Sequence, residues 1–164
     1  MSKQPSRSTD RVRAAAEAFG ITSDVVELAE GARTAADAAA AVGCEVDQIA
    51  KSMIFDADGE LVLALTSGSN TVDGAKLAAL AGVERCKRAK PDTVRAVTGF
   101  AIGGVSPFGH LQPIRCWIDP HLLDFATVWV AAGSPNHVLE VPSNRLESTT
   151  NGVLADFAGE HSGG

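Results

Sequence analysis

Two stretches of the 164-residue chain carry residue types suited to chemistry. The first holds Lys51, which stands between Ile49-Ala50 and the apolar run Met53-Ile54-Phe55. A lysine entering a core strand must carry its ammonium out to water or meet an anion or a carbonyl. The alternative is an ordinary exposed lysine at a strand end. The second stretch is Gly99-Phe100-Ala101-Ile102-Gly103-Gly104-Val105-Ser106-Pro107-Phe108-Gly109-His110. Its four glycines and one proline within eleven residues bar a regular helix or strand. Such a run is a shaped loop, either one whose exposed amides hold a ligand or a plain surface connection.

Several other chemistries lack their residues. No Gly-x-x-x-x-Gly-Lys-Ser/Thr is present, and no Gly-x-Gly-x-x-Gly follows a strand. Ser106 lies in Gly-x-Ser-x-x-Gly, not the Gly-x-Ser-x-Gly elbow of hydrolases, and Pro107 has no N–H to aim at an oxyanion. A metal-free serine hydrolase built on Ser106 is a separate reading. His110, His121, His137 and His161 show no metal-like pairing, and Cys44, Cys86 and Cys116 no Cys-x-x-Cys spacing. The cysteines read as small buried hydrophobes, and neither a metal nor a nucleotide cofactor is expected.

A chain of this length builds one core, and 45% hydrophobic with 21% charged residues is the balance of a globular protein. The net charge of −6 argues against indiscriminate binding along nucleic acid, DNA included. Between Lys76 and Arg95, however, six cations face two anions, a local excess of +4. That patch is either a phosphate contact or a solvated face. No apolar run reaches bilayer length, and the polar start lacks a signal-peptide core, so a cytoplasmic protein without a membrane partner is expected.

The elements that must position these residues follow from local signals. Ser8 or Thr9 is placed to cap a helix over residues 10–19 that Gly20 stops, and Thr34 to cap another over 35–42 before Gly43. Residues 25–28 and 52–55 read as strands; Asp56-Ala57-Asp58-Gly59 then turns the chain into a hairpin strand over 60–65. Helical spacing covers 73–80, a short basic strand 83–88, and Pro91 opens a helix. Residues 114–118, 127–131 and 138–141 are strands, and a closing helix runs from Ser143 through Leu146 toward Phe157. Hairpins among interleaved helices predict an α+β domain with a mixed, largely antiparallel sheet. Residues 1–8 and 159–164 are expected to be flexible ends of a single domain over 9–158.

These motifs together resemble the YbaK/prolyl-tRNA synthetase-associated editing family. Ile49-Ala50-Lys51-Ser52-Met53-Ile54-Phe55 is similar to its I-x-K-S-L-x-F strand, and Asn70-Thr71-Val72-Asp73 with Lys76-Leu77 to its next loop and helix. Gly103 to Gly109 resembles its glycine-proline loop, and Gly133-Ser134-Pro135-Asn136-His137 the turn between its last two strands. The resemblance runs from about Val25 to Ala158. It implies a curved, barrel-like sheet with packed helices and a stand-alone hydrolase cleaving the ester of a mischarged aminoacyl-tRNA. The amino acid would be small, such as alanine or cysteine, with tRNAPro a candidate carrier. The alternative is a non-catalytic module that binds tRNA 3′ ends or aminoacyl-like small molecules.

By the same resemblance Lys51 orients the ester, and amides around Gly103, Gly104 and Ser106 touch the aminoacyl group while water attacks. Pro107, Gly109, Gly133 and Ser134 would shape the substrate site. Asp73 either accepts from the substrate ammonium or caps its helix, and His110 either meets the 3′ end or orients the turn. Arg85, Lys87, Arg88 and Lys90 would contact the acceptor stem. The implied partners are a mischarged tRNA acceptor end and an aminoacyl-tRNA synthetase. The 133–137 turn lacks the arginine-glycine pair of many relatives, so it implies no particular amino acid.

Overall fold

An unbroken apolar run such as Leu61-Val62-Leu63-Ala64-Leu65 is buried on both faces only inside a sheet. The structure, a computed structural model describing residues 7–29, 32 and 34–159, puts this run near the middle of one. In chain order the elements are α1 (Arg7–Ala18), β1 (Val25–Glu27), α2 (Ala35–Val42), β2 (Ile49–Ala57), β3 (Glu60–Ser67), α3 (Gly74–Ala81), β4 (Cys86–Arg88) and α4 (Pro91–Thr98). They continue as β5 (Arg115–Ile118), β6 (Thr127–Ala131), β7 (His137–Pro142), α5 (Leu146–Thr150) and β8 (Val153–Leu154), with short 3₁₀ turns at Val46–Gln48, Pro120–Asp124 and Ser143–Arg145.

The strands form one curved mixed sheet in the order β1-β7-β6-β2-β3-β5-β8, with β4 paired to β2 off this path. The pairs β1–β7, β2–β3, β2–β4 and β6–β7 are antiparallel; β2–β6, β3–β5 and β5–β8 are parallel. Along β3, Leu61, Leu63 and Leu65 face a core shared with Val12 of α1, Val94 of α4 and Leu146 of α5. Val62 and Ala64 face a second core with Leu77 of α3 and Phe157. A third cluster packs Ala38 and Ala39 of α2 on Ile49 and Val138. Period-two alternation thus serves two apolar layers at once.

Local signals close most elements where expected. Thr34 and Asp37 make a reciprocal capping box on α2, and Gly43, Gly82 and Gly99 end α2, α3 and α4 in the left-handed conformation. Asp58 and Gly59, both at positive φ, turn the β2–β3 hairpin.

Three expectations need correction. Helix α1 already runs at Arg7, so Ser8 and Thr9 lie within it and cap nothing. The expectation of flexible ends falls, at residues 1–6 and 160–164, outside the described residues. The closing helix stops at Thr150, because Asn151 at φ 55 breaks it, and the chain then pairs Val153-Leu154 beside β5. Of the cysteines, Cys116 is a buried core residue whose thiol burial pushes up to about 12, while Cys44 and Cys86 are half-buried.

Candidate active site

The sheet has a gap where β2 changes partners. On one edge β2 pairs with β6 only at Ile49 and Ala50, and with β4 only from Phe55 to Ala57. Residues Lys51 to Met53 therefore meet β3 on one side and neither β4 nor β6 on the other. A cavity of about 320 Å³ opens at this gap. Its walls are largely apolar, with Ile49, Met53, Trp129 and Val138 among them, and the glycine loop adds Ile102, Gly103 and Val105. The polar groups are few: Lys51, Ser52, Thr34, Arg88 and His137. An apolar hollow with a handful of polar anchors is the usual build of a small-ligand site.

The Ile54 carbonyl accepts from Ala89 N at 3.4 Å, so Ile54 turns its backbone groups toward this edge. By alternation Ser52 does the same, directing its N–H and C=O into the gap. Its hydroxyl oxygen is buried without a hydrogen-bond partner.

Lys51 is half-buried, and its Nζ donates to the carbonyl oxygen of Asn70 at 2.7 Å. Burial pushes the ammonium below its ordinary pKa, and the nearby Asp119 carboxylate partly offsets that. An ammonium has three hydrogens, so those not given to Asn70 remain for a ligand in the cavity.

The glycine loop is held from behind. Gly104 presses on the other glycine turn so closely that a Cβ there would stand 2.5 Å from Ser134 Cα. Its N–H donates to Ala101 O at 2.9 Å, and its carbonyl accepts from Gly133 N at 3.1 Å. The expected contact of the Gly104 amide with an aminoacyl group is therefore corrected: the donor is spent inside the turn. Ser106 is fully buried and not among the cavity-lining residues. Its hydroxyl accepts from Phe108 N at 3.3 Å, and its carbonyl accepts from His110 Nε2 at 2.6 Å. A catalytic Ser106 has no route to the cavity, which corrects that expectation and removes the serine-nucleophile reading. Burial lowers the His110 pKa, and the ring nitrogen bonded to Ser106 O orients the turn, while the ring is not among the cavity-lining groups. Pro107 is buried, and Gly109 at φ 79 accepts from Arg11.

The remaining expected residues divide in the same way. Pro135 and His137 line the cavity, whereas Gly133 and Ser134 stand behind it. A Cβ on Gly133 would meet Ser8 C at 2.6 Å, and the Ser134 hydroxyl bonds to His137 Nδ1. Asp73 does not line the cavity; its carboxylate caps α3, accepting from Ala75 N at 2.9 Å and Lys76 N at 3.2 Å. Of the basic segment, only Arg88 lines the cavity. Arg85 and Lys87 border a separate depression with Asp56, Asp58 and Glu84, and Lys90 stands at the N-terminus of α4. The structure thus gathers Lys51, Gly103 and Arg88 around one hollow and uses most of the other loop residues as its frame.

Sequence reasoning missed the residues that do the holding. Arg11 of α1 donates from Nη2 to Thr98 O at 2.8 Å and to Gly109 O at 3.3 Å and lies over the Phe100 ring at 4.4 Å, pinning both ends of the glycine loop. Trp129, a cavity wall, reads in the sequence only as a strand residue, and Asp119, which accepts from the Asn70 amide, carries no signal there. Among the described residues no group of three His, Cys, Asp or Glu is placed to hold a metal, and no helix is long and apolar enough to cross a membrane.

A lysine and a glycine loop lining the same apolar hollow, on a mixed sheet, define a class of small-ligand site rather than a nucleotide fold. The chain belongs to the aminoacyl-tRNA editing domain family, whose model matches residues 29–149. It is 32% identical over 124 residues to protein YwhH of Bacillus subtilis, covering 75% of this chain and 78% of that one. It is 34% identical over 116 residues to a proline–tRNA ligase of Nitratidesulfovibrio vulgaris, covering 70% of this chain but only 20% of the ligase. The chain thus spans about a fifth of such ligases. A solved structure with a proposed trans-editing role for prolyl tRNA synthetase superposes with a TM-score of 0.89 at 40% identity, covering 96% of this chain and all of the other.

Proposed function

We propose that this chain is a deacylase that hydrolyses the ester of a mischarged aminoacyl-tRNA, with a small amino acid such as alanine or cysteine on tRNAPro as its substrate class. The observation that carries the reading is the shared cavity of Lys51 and Gly103, in a chain of the editing family. Its relatedness to a segment of proline–tRNA ligases supports the choice of tRNA and of a synthetase as working partner.

In this reading the aminoacyl group enters the apolar hollow. Lys51 grips a ribose or terminal phosphate oxygen, and Arg88, which lines the same cavity, meets the phosphodiester. The backbone edge and hydroxyl of Ser52 lie where the aminoacyl amine or carbonyl would reach. A water oxygen attacks the ester carbonyl carbon, the bond from that carbon to the ribose oxygen breaks, and the ribose oxygen leaves with a proton. The tRNA's own neighbouring hydroxyl assists the water. Catalysis is then a matter of positioning and charge. Selection is steric: larger side chains do not fit, while one methylene discriminates by only about 1–3 kcal/mol.

The test is release of free amino acid from tRNAPro charged with alanine or cysteine, beside other small-residue mischarged tRNAs. The native protein releases it, and Lys51→Ala lowers the rate by about 10²–10³-fold, the usual cost of one positioned donor. Saturable binding with no turnover across the whole panel would make the chain a binding module for tRNA ends instead.

A further inference from the structure

The ammonium of Lys51 does not stand alone; it sits at the end of a short relay that leads to a buried acid. Its Nζ donates to the Asn70 carbonyl at 2.7 Å, and the Asn70 side-chain amide donates to Asp119 Oδ2 at 2.8 Å. The same carboxylate oxygen accepts from Ser67 N at 3.1 Å, and Oδ1 accepts from His121 N at 3.0 Å. Asp119 is only 5% exposed, the one buried carboxylate among the described residues, and all the partners named bring hydrogen to it. A buried carboxylate is tolerated when donors surround it, and here two of the three, Ser67 and Asn70, belong to the loop that carries the lysine's acceptor.

We propose that Asp119, acting through Asn70, is a positioning residue that fixes the Lys51 ammonium at the cavity. This rests on Lys51 being the group that meets substrate, as proposed above. Two physical effects are combined. The hydrogen bonds hold the 67–70 loop so that one carbonyl anchors Nζ and the other ammonium hydrogens point elsewhere. The negative charge opposes the desolvation that drives a half-buried lysine toward the neutral amine. The other charged or titratable groups facing the cavity are Arg88 on β4 and His137 on β7, and neither belongs to the relay.

The experiment compares the native chain with Asp119→Asn and Asn70→Ala. Lys51 is modified by a limiting amine-reactive acylating reagent across a pH series, with the modified residue read by mass spectrometry, beside single-turnover deacylation. Asp119→Asn is expected to move the midpoint of Lys51 modification to lower pH, each unit exposing about ten times more free amine at fixed pH. The alkaline limb of the deacylation profile moves the same way. Asn70→Ala keeps the carboxylate with its Ser67 and His121 donors; it raises Lys51 reactivity and lowers kcat more than it changes KM. This second variant decides the matter if Asp119→Asn fails to fold. Wild-type reactivity and midpoint at Lys51 in the folded variants would overturn the proposal. Failure of the native chain to deacylate any tRNA would instead overturn the proposed activity, while the labelling arm still reads the relay.

Discussion

Lys51 and Ser106 carry opposite lessons about reading chemistry from residue type. Both are polar residues set among apolar neighbours, yet one opens on the cavity and the other is sealed behind the loop. For Ser106→Ala the expected outcome is deacylation at the native rate with a stability loss of about 1 kcal/mol, the usual worth of one buried hydrogen bond. Equilibrium urea unfolding checks the second part; loss of turnover with the fold intact would contradict the first. Arg88 separates from its basic neighbours in the same manner. Arg88→Ala is expected to weaken binding of charged tRNA and flatten its salt dependence, while Lys87→Ala, on the other depression, changes either far less. Binding titrations at two salt concentrations distinguish them. The sequence made Lys51 and Gly103 legible because an ammonium in an apolar strand and a glycine-proline run are local anomalies. It could not show that the Gly104 amide is already used, or that Arg88 alone reaches the cavity. The first depends on a turn that closes on Ala101 O with Ser134 packed against it, the second on the long-range β2–β4 register.

Elements with their own terminators were readable in advance. Helices α2, α3 and α4 end at Gly43, Gly82 and Gly99, and Asp73 and Pro91 mark two of their beginnings. The parallel pairing of β2 with β6 has no such mark, and it is that pairing, broken off after Ala50, that creates the gap and the site. The sequence carries no clear end for helix α5, because its break lies in Asn151-Gly152, a pair that the apolar residues beyond it disguise. Helix α1 has a function that its sequence conceals, since Arg11 reaches the carbonyls of Thr98 and Gly109 at opposite ends of the glycine loop. Arg11→Ala should cost about 1.5–3 kcal/mol, as expected for hydrogen bonds from a charged group. It should also loosen the loop. Amide exchange at Gly103 and Val105 then rises more than exchange in β3, whereas uniform change across the sheet would contradict a role at the loop.

At the scale of the whole molecule, one polar clamp ties the turns around the site together. His121 joins Asp47 at 3.0 Å and Asp124 at 2.8 Å, and Asp47 also holds Ser69 in the loop beside Lys51. Hydrogen bonds to Asp47 and then Asp124 raise the His121 pKa above its ordinary 6.5, so its contribution is complete below that value and fades as pH rises through the folded one. The hydrogen bond from Ser69 lowers the Asp47 pKa below 3.8, so that share is present above 3.8 and fades as pH falls. The clamp is therefore strongest in mildly acid solution. His121→Ala should lower Tm most between those two values and least in alkaline buffer; a deficit that grows with pH would contradict the assignment. Both groups are solvent-accessible, so salt weakens the effect.

The central claim is that an aminoacyl ester sits in the hollow between Lys51 and the glycine loop, and it is tested most directly by locating a ligand there. The probe is a non-hydrolysable amide analogue of 3′-alanyl-adenosine carrying a 5′-phosphate, titrated while methyl resonances are followed. Saturable shifts at Met53, Ile102 and Val138, greatly weakened in Lys51→Ala, are the predicted result. Shifts confined to residues outside the cavity, in a protein that still deacylates, would contradict it.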